Sequence, residues 1–351
     1  MDRFCVFCGE KPVDKTKEHI IPQWLIKYTG DFNRNINVGV DRKKKKIRSF
    51  SFNSLTFPAC KKCNDKFSEL EAQTKPIFLK LLEKNFIETN VLLDWFDKVR
   101  IGLWLLFYSL NENPLSIMPR FHIKNRLGQS DRMIIIYKVN SLNKGINFFG
   151  VDNLAFQMQP SCFLIRINNY LFFNVSKEFL FSRRIGFPYP QKIYQIENNF
   201  SDKVYVKLKK GIKRKIVPLI RRNHFINGIE LYQPMICNHI SKEDYYYKNE
   251  YVKSNCSIFK NGTGKIFYYD KKNKQLLTDH RIVLLNRISN FNFKDNFENL
   301  IIQTLNFQNR LLKESYDIEL IVSEERIKYF KESTNFAIDY NNRLIESLKQ
   351  W

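Results

Sequence analysis

Apolar positions fall into a helical rhythm after residue 67. Leu70, Ile77, Leu81, Leu82, Phe86, Ile87, Val91, Leu92, Trp95, Phe96, Val99, Leu103, Leu106 and Phe107 recur at intervals of three and four, which predicts two or three helices across Ser68–Leu110. The stretch Ile101–Leu110 is apolar on nearly every side and reads as a buried helix, well short of the ~18 apolar residues of a membrane span. Further on, Met133–Tyr137, Phe163–Ile167 and Tyr170–Val175 are short runs of β-branched and aromatic residues, with Asn168-Asn169 as a hairpin turn between the last two. Helical spacing returns from about Asn296, through Leu300, Ile301, Leu305, Phe307, Leu311 and Leu312. A strand is predicted over Ile318–Val322 and a last helix over Glu324–Trp351. Residues 1–70 show little helical periodicity and read as loop-rich, and residues 223–285 give no clear pattern. The expected class is α+β: a small module at 1–70, a helical connector at 71–130, and a larger basic region at 131–351 that is β-rich and then α/β.

Composition adds charge to this picture. The 351 residues are 44% hydrophobic and 15% aromatic, which excludes a disordered basic tail, yet 58 Lys and Arg face 35 Asp and Glu for a formal +23. Such an excess implies a polyanionic partner, with nucleic acid, DNA or RNA, as the expected class. Residues 1–70 carry 15 basic and 8 acidic side chains, leaving +16 of the total to the rest of the chain. Two basic tracts stand out. Arg42–Arg48 includes Lys43, Lys44, Lys45 and Lys46. Lys203–Arg222 holds nine Lys or Arg and no acid, including Lys209, Lys210, Lys213, Arg214, Lys215, Arg221 and Arg222, interrupted by Gly211 and Pro218 as in a strand-loop-strand. The N-terminus lacks the basic and apolar stretches of a signal peptide, so the expected compartment is the cytoplasm, with no membrane association.

In a reducing compartment the seven cysteines are thiols or metal ligands. Cys5/Cys8 and Cys60/Cys63 form two Cys-x-x-Cys pairs with 51 residues between them. Together they supply the four thiolates of a closed, tetrahedral structural Zn²⁺ site, and no βαβ pattern nearby supports a redox pair instead.

Between the pairs lies Lys17-Glu18-His19-Ile20-Ile21-Pro22, and the second pair closes with Asn64 in Phe57-Pro58-Ala59-Cys60-Lys61-Lys62-Cys63-Asn64. Here the chain resembles the HNH endonuclease family, whose ββα-metal fold uses an acid-His-aliphatic-aliphatic-Pro strand and a following helix that supplies His or Asn. The resemblance implies that Glu18 and Asn64 ligate a catalytic Mg²⁺ or Mn²⁺, that His19 is the general base, and that a middle asparagine orients it. Oxygen donors suit a hard divalent cation, and an imidazole, titrating near pH ~6.5, can take a proton from water. The insertion between His19 and Cys60 is longer than usual in the family. Asn53 is the nearest match to the middle asparagine, with Asn33, Asn35 and Asn37 as rivals.

The resemblance implies a metal-dependent DNA endonuclease, a bacterial restriction or anti-phage defence effector regulated by its C-terminal region. The layout is also similar to the HNH-APAZ proteins that accompany short prokaryotic Argonautes, which would make such an Argonaute the partner protein and a guide–target duplex the nucleic-acid partner. The rival from another class is a catalytically inactive, zinc-containing nucleic-acid-binding protein.

Overall fold

The computed structural model describes residues 4–41, 46–84, 86–111, 123–139, 143–177, 180, 189–196, 203–209, 229–233, 235, 256–257, 263–264, 266–269, 281–283, 293–314, 319–321 and 323–350. The fold is mixed α+β.

The N-terminal segment is built on a two-stranded antiparallel ladder, β1 (Lys15–His19) against β4 (Thr56–Cys60), followed at once by the long helix α2 (Lys61–Lys84). The chain between the two strands forms α1 (Gln23–Tyr28), a hairpin of β2 (Asn35–Asp41) with β3 (Lys46–Ser51), and a single 3₁₀ turn at Phe52–Ser54. Pro22 stands immediately before α1, where its fixed φ suits a helix entry. After α2 come β5 (Phe86–Glu88), α3 (Thr89–Asn111) and α4 (Ile123–Arg126). As expected for the Ile101–Leu110 run, α3 is buried almost all round.

The centre of the molecule is an antiparallel sheet containing β6 (Asp131–Lys138), β7 (Ile146–Phe149), β8 (Cys162–Ile167), β9 (Tyr170–Lys177), β12 (Ile229–Gln233) and β15 (Phe267–Tyr269), in the order β15-β12-β6-β9-β8-β7. Helix α5 (Leu154–Met158) links β7 to β8. The β8–β9 hairpin turns at Asn168-Asn169, where Asn168 takes φ 52°; asparagine tolerates this left-handed conformation that a two-residue hairpin demands. Further strands complete the described chain: β10 (Tyr189–Ile196), β11 (Lys203–Lys209), β13 (Cys256–Ser257), β14 (Thr263–Gly264), β16 (Arg281–Val283) and β17 (Glu319–Ile321), with helices α6 (Phe297–Glu314) and α7 (Glu324–Lys349). β10 pairs with β11 antiparallel and with β17 in parallel.

The central strands read as unbroken apolar runs because both faces of the sheet are covered. Ile134, Ile136, Phe163, Ile165 and Phe172 pack in one core with Phe78 of α2, Trp95 and Phe96 of α3, and the N-terminal residues Phe7, Ile20 and Leu25. Met133, Ile135, Leu164, Phe173 and Val175 face the other way, against Leu300, Phe307 and Leu311 of α6. Successive strand residues alternate between the two layers, as the two-residue period requires. The boundary expected at residue 70 falls inside α2, and the first core runs across it without a break. No helix among the described residues is long and apolar enough to cross a membrane.

Candidate functional site

Cys5 and Cys8 sit on a tight knuckle closed by Gly9 N–H donating to the Cys5 carbonyl at 2.9 Å, with Gly9 at φ 78°. The ladder of β1 with β4 sets Cys60 opposite Lys15, and the first turn of α2 brings up Cys63. All four ligand atoms lie within 4.8 Å of one another, and Cys8 Sγ to Cys60 Sγ is 3.9 Å. A tetrahedron of sulfurs about 2.3 Å from a zinc ion has edges of about 3.8 Å, so the donor set fits the ion expected from the spacing. Backbone N–H groups already point at the sulfurs, from Cys60 to Cys5 Sγ at 3.3 Å and from Val13 to Cys60 Sγ at 3.4 Å.

The four thiols are not electrostatically equivalent. Burial pushes Cys8 up to about 12, and the neighbouring Cys5 adds to this; burial and the charge of Cys5 also raise Cys63. Burial would raise Cys5 too, but the backbone N–H groups of Cys60, Cys8 and Phe7 bring it below the ordinary thiol value. One thiolate is favoured and its neighbours resist a second, which a divalent cation would reverse. Among the described residues, these thiols are the single group of three or more His, Cys, Asp or Glu close enough to share an ion.

His19 ends β1 and is half-exposed, while Glu18, its neighbour, is 7% exposed and points into the protein. His19 Nε2 lies 3.0 Å from Asn53 Oδ1. An amide oxygen can only accept, so this contact selects the tautomer with the proton on Nε2 and the lone pair on Nδ1. Asn53 is delivered there by the 3₁₀ turn, which buried Phe52 anchors and Arg34 covers, its guanidinium 4.6 Å from the Phe52 ring centre. Ile20 N–H then donates to the Leu55 carbonyl at 3.2 Å, tying the end of β1 to the exit of that turn. Of the rival asparagines, Asn35 and Asn37 lie on β2 and Asn33 precedes it; the partner of His19 is Asn53. Gln23 also approaches, its amide nitrogen 3.3 Å from His19 Nε2, and donates there only in the opposite tautomer.

The carboxylate of Glu18 meets Lys98 of α3, with Oε1 2.6 Å from Nζ, and the same ammonium is paired with Glu71 of α2. The Lys98 ammonium donates to Glu71 and also holds Glu18 Oε1. A buried and a partly exposed carboxylate thus share one ammonium. Burial pushes Glu18 up from 4.5 to about 7; Lys98 opposes this and Glu71 adds to it. Burial acts to lower Lys98, but the two carboxylates outweigh it and the ammonium stays charged.

Asn64 follows Cys63 in the first turn of α2 and is half-buried. No hydrogen bond among the described residues joins it to Glu18 or His19. Of the basic tracts, Lys46 is exposed at the start of β3 and Lys209 ends β11, whereas Lys43, Lys44, Lys45, Lys210, Lys213, Arg214, Lys215, Arg221 and Arg222 lie outside the described residues. Two lysines not singled out by the sequence share the face of His19: Lys15 and Lys17 are exposed on alternate positions of β1. Their two-residue spacing from His19 was the signal available. Lys98 had none, since it sits in a helix far along the chain.

Comparison with protein-family models, curated proteins and solved structures gives no match to this chain. The functional reading therefore rests on the site itself.

Proposed function

We propose that the chain is a metal-dependent endonuclease of the HNH type that hydrolyses phosphodiester bonds in DNA. The observation that carries this reading is the 3.0 Å contact between His19 Nε2 and Asn53 Oδ1 on an accessible face, beside Lys15 and Lys17 and next to a four-thiol staple. Hydrolysis of a phosphodiester needs a base for water, a grip on the flanking phosphates, and positive charge at the scissile group.

Asn53 holds the imidazole with its proton on Nε2. Nδ1 is then free to take a proton from a water molecule as that water attacks phosphorus in line with the 3′ oxygen. Lys15 and Lys17 bind backbone phosphates as exposed point charges, keeping the strand along β1. The four thiols would hold a structural Zn²⁺, tying the knuckle to β4 and α2 and so supporting His19 through the β1–β4 ladder.

Glu18 and Asn64 would hold the catalytic Mg²⁺ or Mn²⁺, which supplies charge to the phosphate and the leaving oxygen when bound. Two carboxylates share one ammonium there, so Lys98 leaves one negative charge that a divalent cation would neutralise. Lys98 competes for the same carboxylate, so binding at Glu18 requires Lys98 to settle on Glu71 alone. A His19→Ala protein that keeps its zinc and its fold but loses magnesium-dependent cleavage supports the reading; cleavage surviving in that variant refutes it. Copurification with a short Argonaute-like partner or a guide strand would add the defence context suggested by the layout.

A further inference from the structure

On the opposite face of the sheet from His19, α6 and α7 pack with Leu312 against Ala337 and Ile338. About one turn away, apolar side chains give way to amides. Gln308, Asn309 and Asn341 are all buried, and Asn341 is 0% exposed. Asn341 Nδ2 donates to Asn309 Oδ1 at 3.0 Å and to Gln308 Oε1 at 3.3 Å, and Asn309 Nδ2 donates to Asn342 Oδ1 at 2.9 Å. The network is not closed: Asn341 Oδ1 and Thr334 Oγ1 are buried without a partner. Apolar side chains of similar volume would hold two helices together at least as well, so such an interface suits a polar ligand better than it suits stability.

The network opens onto a cleft of about 340 Å³ lined by Asn306, Asn309, Arg310, Lys313, Glu314 and Asn342. Five of these six recur on one stripe of α6 at helical spacing. The volume is at the lower end of small-ligand sites, about 300–1,000 Å³, room for a single nucleotide unit and no duplex. The chemistry is paired in the same sense. Side-chain amides present a donor and an acceptor side by side, as the edge of a nucleobase does. Lys313 and Arg310, the latter paired with Glu314 at 3.3 Å, supply the cations that a phosphate requires, and the phosphate would take Arg310 over from Glu314.

We propose that this cleft binds one nucleotide unit, as a free nucleoside monophosphate or as the phosphorylated end of a nucleic-acid strand. Asn309 and Asn342 contact the base edge, and Arg310 with Lys313 contact the phosphate. Gln308 anchors the amide network to the sheet, donating to the Gly150 carbonyl and, at 3.1 Å, to the Cys162 carbonyl. Gly150 is required there, since a Cβ would lie 2.4 Å from Thr304 Cγ2. The proposal stands on the cleft alone and does not depend on the hydrolytic reading.

The test is calorimetric titration of the full-length, zinc-loaded His19→Ala protein with each of the four 5′-nucleoside monophosphates, a 5′-phosphorylated single-stranded oligonucleotide, and inorganic phosphate. Saturable binding of at least one nucleotide probe is expected, weakened by about tenfold or more in an Arg310→Gln/Lys313→Gln double variant, the loss of at least one charge-assisted contact. Asn342→Leu, at an exposed position, should change the preference among bases. Oligonucleotide binding without monophosphate binding assigns the cleft to strand ends; binding of both assigns it to the nucleotide unit in either form. No binding by any nucleotide probe, binding unchanged in the double variant, or equal affinity for inorganic phosphate overturns the proposal.

Discussion

Replacing Glu18 by glutamine isolates the charge imbalance beneath the hydrolytic face. Glu18 is buried and shares the ammonium of Lys98 with the partly exposed Glu71, and its carboxyl is raised from 4.5 to about 7. Below pH 4.5 both the native and the unfolded chain carry the Glu18 proton. Between 4.5 and 7 the native protein keeps a proton that the unfolded chain has lost, so stability falls as pH rises, and above 7 the full penalty of about 3 kcal/mol is present. Glutamine has no such titration, and Lys98 remains charged throughout. Between pH 5.5 and 8, where the thiolates keep their zinc, the stability of Glu18→Gln relative to wild type should rise by about 2 kcal/mol. Urea denaturation of both proteins across that range, with zinc bound and no magnesium, reads this directly. A pH-independent difference would show that Glu18 is not perturbed. A difference that shrinks with rising pH would show instead that the ion pair with Lys98 outweighs burial. Magnesium should flatten the wild-type dependence, because a cation at Glu18 favours the ionised form.

Three further outcomes follow from the same geometry. Cys8→Ser, or a chelator strong enough to remove zinc, should abolish the bound metal and lower the melting temperature by at least about 5 °C, since the knuckle belongs to the main core; unchanged melting would show that the staple is not structural. Asn53→Ala should cut cleavage by about 100-fold and alter its pH profile while leaving zinc content unchanged, because the imidazole loses the partner that fixes its tautomer. Neutralising Lys15 and Lys17 to glutamine should reduce the salt slope of DNA binding by about 2, one for each lost phosphate contact, with little effect on stability.

The parts legible in the sequence are those whose signal is local. The four cysteines announce their site because thiolate chemistry and spacing leave few alternatives. α2, α3, α6 and α7 follow from apolar periodicity, and β6, β8 and β9 from apolar runs that a sheet covered on both faces demands. The strand at β1 is expected only through the family resemblance, since β1 and β4 are short and show no clear alternation; the β2–β3 hairpin escaped notice because its strands are short and largely polar, and α1 because it is a single turn and a half. The choice of Asn53 among four asparagines depends on a 3₁₀ turn held by Phe52 and Arg34, which no spacing rule encodes. The pairing of Glu18 with Lys98 depends on α3 folding back across the strand, and it puts the expected metal-binding carboxylate in a buried ion cluster that alternation along β1 alone could not reveal.

The most direct measurement of the central claim is magnesium-dependent nicking of supercoiled plasmid by zinc-loaded wild type and His19→Ala, with and without an added guide strand or copurifying partner. Wild-type cleavage that requires the divalent cation, and that the substitution abolishes while zinc content and melting temperature hold, is the predicted result. Equal cleavage by both proteins, or none by wild type under any of these conditions alongside undiminished DNA binding, would contradict it and leave a zinc-stapled binding protein in its place.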